Sequence, residues 1–166
     1  MDMSEVLRGR KIQPGSQKFG KEAHDRLADA LGGSGIEVVH EPRILQSLGV
    51  KSMIPDFVLT KDGKSIFIEV KRQGDKGNAH ERVYKYFAPR LQRKVTELLK
   101  SEGYPVYVVL CDSLSSTPRY VSEFEQNLDP ESYLLWKNYD VTLLKDFIDR
   151  SFDSSGTFDA SKIEEL

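Results

Sequence analysis

The sequence predicts an α/β domain in which a mixed β-sheet is flanked by helices. Two β-rich runs, IPDFVLT and SIFIEVK, are separated by a tight-turn signal at residues 61–64. A third run, PVYVVLC at residues 105–111, is almost entirely apolar, which is typical of a buried strand. Apolar residues at helical spacing before and after these runs predict helices that cover the sheet.

The first half of the chain is predicted to contain a helix, a short strand and a hairpin. Over residues 16–31 apolar residues recur at helical spacing, and a Gly-Gly pair follows as a stop signal. A short strand is predicted at residues 36–40. In the hairpin that follows, Asp62 and Gly63 form a two-residue loop, because Asp-Gly is a strong signal for such a turn.

The second half of the chain is predicted to be mainly helical around the apolar strand. The predicted helices, the first two of which are separated by Pro89, lie at residues 79–87, 90–101, 119–127, 130–137 and 143–148. Residues 1–152 are predicted to form a single domain with a basic N-terminal arm. Residues 153–166 offer no evident core contribution and are predicted to be a flexible acidic tail.

Composition excludes several classes of protein. The one cysteine excludes an intrachain disulfide and a Cys-rich zinc site, and the three histidines share no metal-binding spacing. No apolar run approaches the ~20 residues of a membrane span, and the first residues lack the apolar stretch of a secretory signal. We therefore expect a cytoplasmic protein.

The net charge of −2 conceals a strong segregation of charge along the chain. Residues 61–100 carry a net charge of +6, whereas residues 121–166 carry −7. A compact basic segment in a mildly acidic chain predicts a face that binds a polyanion such as nucleic acid. A solvated, lysine-rich helix surface explains the same pattern equally well.

The hairpin brings two acidic side chains together. If Lys61 faces Lys64 across the turn, Asp56 lies opposite Glu69, and the alternation of side chains places Lys71 on the same face. Facing like charges are destabilising unless something compensates them, and a divalent cation such as Mg²⁺ is the natural compensation. The alternative is an exposed hairpin in which Lys71 screens two surface acids. The opposite face is uninterrupted core, formed by Phe57, Leu59, Ile66, Ile68 and Val70.

These residues resemble a known family. Pro55-Asp56 followed by Glu69-Val70-Lys71 on a hairpin is similar to the PD-(D/E)XK nuclease superfamily. The resemblance implies a restriction-endonuclease-like core and Mg²⁺-dependent hydrolysis of DNA. It also implies that Asp56, Glu69 and Lys71 form the catalytic set. Asp56, Glu69 and the carbonyl of Val70 would hold the metal, and Glu22 on the first helix would be an additional catalytic carboxylate.

A second block after the lysine narrows the resemblance. Residues 77–82, GNAHER, resemble the GNAxER segment of EcoRI and MunI type restriction endonucleases, which reads the central AATT of the site. Carried over, Asn78, Ala79, Glu81 and Arg82 are the DNA-recognition residues. An amide such as that of Asn78 can pair with both the N7 acceptor and the N6 donor of adenine in the major groove. The alternative is structural, because Asn78 and Glu81 also have the spacing of a helix-capping box.

Together the two blocks imply a type II restriction endonuclease that cuts a palindrome containing AATT in double-stranded DNA. A palindrome read by one fold implies a two-fold homodimer, and a protecting DNA methyltransferase is expected in the host. Two other functions stay open on the residues alone. One is a structure-selective nuclease such as a junction resolvase, which shares the hairpin but not the reader; the other is a DNA-binding module without catalytic activity.

Overall fold

The computed structural model describes residues 18–51, 53–71, 79–111 and 118–165. Six helices and five strands are named here in chain order. The helices are α1 (Lys18–Leu31), α2 (Ile44–Ser47), α3 (Ala79–Tyr84), α4 (Pro89–Leu99), α5 (Pro118–Asn127) and α6 (Val141–Asp153). The strands are β1 (Glu37–His40), β2 (Phe57–Lys61), β3 (Lys64–Lys71), β4 (Val106–Cys111) and β5 (Tyr133–Trp136). Within these ranges no helix is long and apolar enough to cross a membrane.

The five strands form one mixed sheet in the order β1-β2-β3-β4-β5. The first three strands are antiparallel neighbours, whereas β4 and β5 join parallel to β3. The parallel pairs are connected through helices, as a parallel crossover requires. The mixed sheet with flanking helices that the sequence predicts is therefore confirmed.

The hairpin has the predicted register. Lys61 pairs with Lys64 and Phe57 pairs with Ile68, so the positions that face each other follow the predicted alignment. Asp62 and Gly63 both have positive φ, 51° and 75°, as a tight hairpin turn with right-handed strand twist requires. This register fixes how Asp56, immediately before β2, approaches the far end of β3.

Both faces of the sheet are buried. The first face is covered by α1 and α6, and its core includes all five residues of the predicted apolar face of the hairpin. The second face carries Val58 and Phe67 and is covered by α2, α4 and the chain around Tyr86. The sheet therefore lies between two helical layers, and a polar side chain on either face must find a partner or stay unsatisfied.

Two predicted elements differ in the structure. Residues 130–137, predicted to be a helix, instead contain β5, which pairs with β4 from Val108–Tyr133 to Cys111–Trp136. The short apolar run YLLW has no period of its own, so the free edge of β4 decides its conformation. The Asp140 side chain then accepts hydrogen bonds from the backbone of Thr142 and Leu143 and begins α6.

The C-terminal segment is also different from the prediction. In place of a loose acidic tail, Phe158 forms an antiparallel bridge with Ser65, and a 3₁₀ helix spans Ala160–Glu165. Phe158, Ala160 and Ile163 are buried in the second face of the sheet. The apolar residues are few and separated by acidic ones, which is why the sequence pattern concealed their contribution to the core. The flexible-tail prediction is wrong for these residues.

Candidate active site

The candidate site lies where β2 begins and β3 ends. Asp56 directly precedes β2, and Glu69 and Lys71 are among the last residues of β3. The antiparallel pairing brings the start of β2 and the end of β3 to the same end of the sheet. The predicted three residues are therefore brought together, although Asp56 lies just beyond the last residue of the strand ladder.

Asp56 is held at three points. Its Oδ2 accepts a hydrogen bond of 2.7 Å from the backbone N–H of Val70, and its Oδ1 lies 3.2 Å from Nε2 of His24. Its backbone carbonyl accepts a hydrogen bond of 2.7 Å from the N–H of Glu41. The carboxylate is thus turned toward the backbone of β3, and its position is set by the main chain as well as by a side chain.

The carbonyl of Val70 lies on the side of β3 that Asp56 occupies. In an extended strand the N–H and C=O of one residue point to the same side, and the N–H of Val70 points to Asp56. Because β2 begins only at Phe57, which pairs with Ile68, the ladder between the two strands ends before Val70. The backbone therefore offers an oxygen close to the two carboxylates.

Glu69 is a buried acid in an unfavourable position. Its side chain is 4% exposed, and its Oε1 forms an ion pair with Nζ of Lys71 at a distance of 2.5 Å. Burial first, and repulsion by Asp56 second, raise the pKa of Glu69 to about 7, although Lys71 opposes both effects. Its other oxygen, Oε2, is buried and has no hydrogen-bond partner among the residues that the structure describes.

These features fit a divalent cation. Two repelling carboxylates, a nearby backbone carbonyl and an unsatisfied buried oxygen are a donor set of hard oxygen atoms. The described part of the chain contains no group of three or more His, Cys, Asp or Glu side chains that could hold a metal ion. An ion held by Asp56 and Glu69 would therefore complete its coordination with backbone oxygen, water or phosphate, as Mg²⁺ typically does.

Tyr86 also belongs to the surroundings of Glu69. Its side chain is buried in the core. Its phenol, however, interacts with the Glu69 carboxylate, and burial together with that charge raises the pKa of Tyr86 well above its usual range. Tyr86 lies in the 3₁₀ helix Lys85–Phe87 that follows α3, so the chain that leaves the predicted recognition helix interacts with the buried acid.

Two histidines that share no metal-binding spacing in the sequence lie beside the site. The His24 ring packs edge-on against His40 and Phe57, with centroids 5.1 and 5.3 Å away, and reaches Asp56 from α1. Burial opposes a charge on His24, but the hydrogen bond to Asp56 and the attraction of nearby acids outweigh it and raise the pKa of His24. Burial and the neighbouring His24 lower the pKa of His40.

Glu22, which the resemblance implies as an additional catalytic carboxylate, is paired with a residue of its own helix. Its exposed side chain accepts a hydrogen bond of 3.3 Å from Arg26 one turn later on α1. His24, two residues further on, is turned by about 200° around the helix axis and is the residue that faces Asp56. The structure therefore shows an imidazole of α1 in contact with Asp56, and the catalytic role of Glu22 stays a prediction.

The predicted recognition residues are described in part. Asn78 lies outside the described residues. Ala79 and Glu81 lie at the start of α3, and their side chains are outside what the structure describes. Arg82 is exposed, and the next residue, Val83, is fully buried in a cluster with Val108 of β4 and Phe124 of α5. The helix is therefore fixed on its inner side while Arg82 faces outward.

Comparison with solved structures gives the fold. The fold is similar to the crystal structure of MunI restriction endonuclease in complex with cognate DNA, with a TM-score of 0.55 and 20% sequence identity. The similarity covers 78% of this chain and 93% of that one. The restriction-endonuclease-like α/β fold that the sequence predicts is thus confirmed.

Comparison with protein families gives the particular family. Residues 36–155 match the family described as type II restriction enzyme MunI. No curated protein sequence matches the chain significantly. The matched region spans most of the chain, from β1 to the end of α6. The chain belongs to the MunI family of type II restriction enzymes, and it is a site-specific DNA hydrolase.

Proposed function

We propose that the protein is a Mg²⁺-dependent homodimeric endonuclease that cuts a palindromic site with an AATT core. The observation that carries this proposal is that Asp56, Glu69 and Lys71 lie close together, while a buried Glu69 oxygen has no hydrogen-bond partner among the described residues. Restriction enzymes depend in general on a divalent metal ion. Magnesium is favoured because every candidate donor here is an oxygen atom.

Asp56, Glu69 and the carbonyl of Val70 would hold the ion. Asp56 is suited to this role because the N–H of Val70 fixes one oxygen of its carboxylate before any ligand arrives. When bound, a divalent cation polarises the phosphodiester, lowers the pKa of a bound water and offsets charge on the leaving oxygen. The residues of the chain position the substrate and the water around that point.

Lys71 is proposed to hold the attacking water and the scissile phosphate. Its ammonium has three N–H donors, and one of them is used by Glu69. The other donors can bind a phosphate oxygen or orient the water, and the positive charge stabilises the negative charge that develops at phosphorus. The side chain is 18% exposed, so its amine lies at the boundary between the core and the solvent that DNA would displace.

Sequence recognition is proposed to come from Asn78, Ala79, Glu81 and Arg82. The support is the GNAHER segment together with family membership, and α3 begins soon after the end of β3. Asn78 would pair with adenine, Glu81 would accept from exocyclic amines, and Arg82 would donate to N7 atoms and hold Glu81. Each such pair discriminates by about 1–3 kcal/mol against a wrong base.

Three partners complete the proposal. Double-stranded DNA is the substrate, a second copy of the chain reads the other half of the palindrome, and a DNA methyltransferase of the same cytoplasm protects the host site. The identical reading of two half-sites is the reason for the homodimer.

The decisive experiment is digestion of long mixed-sequence DNA with Mg²⁺, followed by sequencing of the fragment ends. We expect ends that share one AATT-centred sequence. The Glu69→Ala and Lys71→Ala variants should no longer cut the DNA but should still bind the site. Their retained DNA binding is the control that shows that they are folded. Ends without a common sequence contradict the specificity, and undiminished cutting by both variants contradicts the assigned catalytic set.

A further inference from the structure

The contact between α1 and Asp56 is unexplained by the function proposed above. His24 lies on α1, on the first face of the sheet, whereas Glu69 and Lys71 approach from β3. Its Nε2 is 3.2 Å from Asp56 Oδ1, and the two side chains are only 15% and 16% exposed. A polar contact that is shielded to this degree is worth more than a similar contact in solvent.

Each oxygen of Asp56 has its own donor. The N–H of Val70 donates to Oδ2 at 2.7 Å, and Nε2 of His24 lies within hydrogen-bond distance of Oδ1. The first donor belongs to the main chain of β3 and cannot be moved without moving the strand. The second donor therefore decides the rotation of the carboxylate about its own axis.

The ring of His24 is itself held in place. It packs edge-on against His40 at 5.1 Å and against Phe57 at 5.3 Å, and the His40 ring packs on Phe57 at 4.5 Å. Phe57 is the first residue of β2, next to Asp56. The His24 imidazole therefore packs on the first residue of β2 and contacts the carboxylate of the residue before it, Asp56.

His24 is suited to act on Asp56 rather than as a further ligand. The described residues hold no group of three His, Cys, Asp or Glu side chains with the arrangement of a metal centre. Metal sites commonly contain a donor that orients a ligating carboxylate without touching the ion. Removing such a donor typically lowers metal affinity or activity by roughly 10–100-fold.

We propose that His24 is a positioning residue that sets the orientation of the Asp56 carboxylate for a divalent cation by donating a hydrogen bond from Nε2. This inference rests on the proposed role of Asp56 as a metal ligand. The inference assigns the positioning role on α1 to the imidazole of His24, whereas the family resemblance implies a catalytic carboxylate on this helix, that of Glu22.

The test is a matched pair of variants, His24→Gln and His24→Met. The two side chains have similar length and both lose the ring contacts with His40 and Phe57, but only glutamine retains an N–H donor. Binding of Mn²⁺ alone to the full-length, DNA-free protein is followed by the electron paramagnetic resonance of free Mn²⁺. Unfolding temperatures in EDTA provide a separate measure of any structural effect.

We expect His24→Gln to bind Mn²⁺ close to wild type and His24→Met to bind about 10-fold more weakly, at similar unfolding temperatures. Equal Mn²⁺ affinity of the two variants overturns the proposal, whether both are normal or both are weak. The Asp56→Asn variant separates this failure from a failure of the proposed function. If Asp56→Asn binds Mn²⁺ like wild type, the metal site itself is wrong and the role of His24 is lost with it.

Discussion

The carboxylate of Glu69 illustrates the electrostatic cost of the site at the scale of one residue. A buried acid beside another acid is more stable protonated, and the pKa of Glu69 is raised to about 7. The folded protein therefore holds a proton in the range between the ordinary value of 4.5 and about 7, where the unfolded chain has released it. From this group alone, stability is greatest below that range and falls as the pH rises through it.

The Glu69→Gln variant tests whether burial of the Glu69 charge lowers the stability of the fold as the pH rises. Glutamine keeps the shape but has no charge to bury, so in EDTA at pH 8 we expect the variant to unfold with a higher free energy than wild type, by on the order of 2 kcal/mol. The difference should shrink as the pH falls below about 7. Urea unfolding across this pH range measures it, with Glu97→Gln on the exposed surface of α4 as the control. A variant that is less stable than wild type at pH 8 contradicts the assigned burial cost.

Sequence reasoning located the residues of the site that are close in the chain and missed those that are not. Asp56, Glu69 and Lys71 follow from a short hairpin whose register is set by its turn. His24 and Tyr86 reach the same carboxylates from a preceding helix and from a later turn. No periodicity connects such positions, because the packing of helices against the sheet decides which side chain of a helix meets the strand end.

At the scale of elements, the hairpin turn controls the geometry of the site. Because a one-residue slip moves every side chain to the opposite face, the turn that joins β2 to β3 decides whether the acids meet or separate. The turn depends on positive φ at both of its residues, and only Gly63 adopts it without steric cost. The hairpin was predictable for the same reason, since the Asp-Gly signal is local.

The Gly63→Ala variant tests this dependence. The space around a Cβ at this position is open, with the nearest atom, Oδ2 of Asp159, at 3.7 Å, so the cost is one of backbone strain at a φ of 75°. We expect a loss of about 1–2 kcal/mol in the free energy of unfolding. Asp62→Asn is the control, since asparagine accepts the same conformation and should leave stability nearly unchanged. Urea unfolding that shows equal losses for the two variants would argue against strain at the glycine.

The elements that sequence reasoning misjudged share a physical cause. The strand at Tyr133–Trp136 and the bridge at Phe158 are both short apolar pieces that take their conformation from an existing strand edge. Neither has enough residues for a helical or an alternating pattern to be read from the sequence. Longer elements such as α1 and β3, in contrast, bury a complete face and were predicted nearly to their ends.

At the scale of the whole molecule, α3 packs in a different core cluster from α1 and α6. The first face of the sheet is filled by α1 and α6, whereas the end of β3 leads on to α3, with the exposed Arg82. The basic segment 61–100, with a net charge of +6, includes β3, α3 and α4, and the acidic segment 121–166 includes the supporting helix α6. This distribution favours the approach of DNA from the side of α3.

The proposed homodimer makes a quantitative prediction about strand cleavage. If each subunit cuts one strand of the palindrome, a dimer with one wild-type and one Lys71→Ala subunit can only nick. Random assembly of the two chains at equal amounts gives about half mixed dimers, because a two-fold dimer joins identical surfaces. Co-expressed and differently tagged chains allow these mixed dimers to be isolated and added to a supercoiled plasmid with a single site.

We expect nicked circles to accumulate without linear product, whereas wild-type dimers give linear DNA. Linear product from the mixed dimer would mean that one subunit cuts both strands, which contradicts the proposal that each subunit of the homodimer cuts one strand.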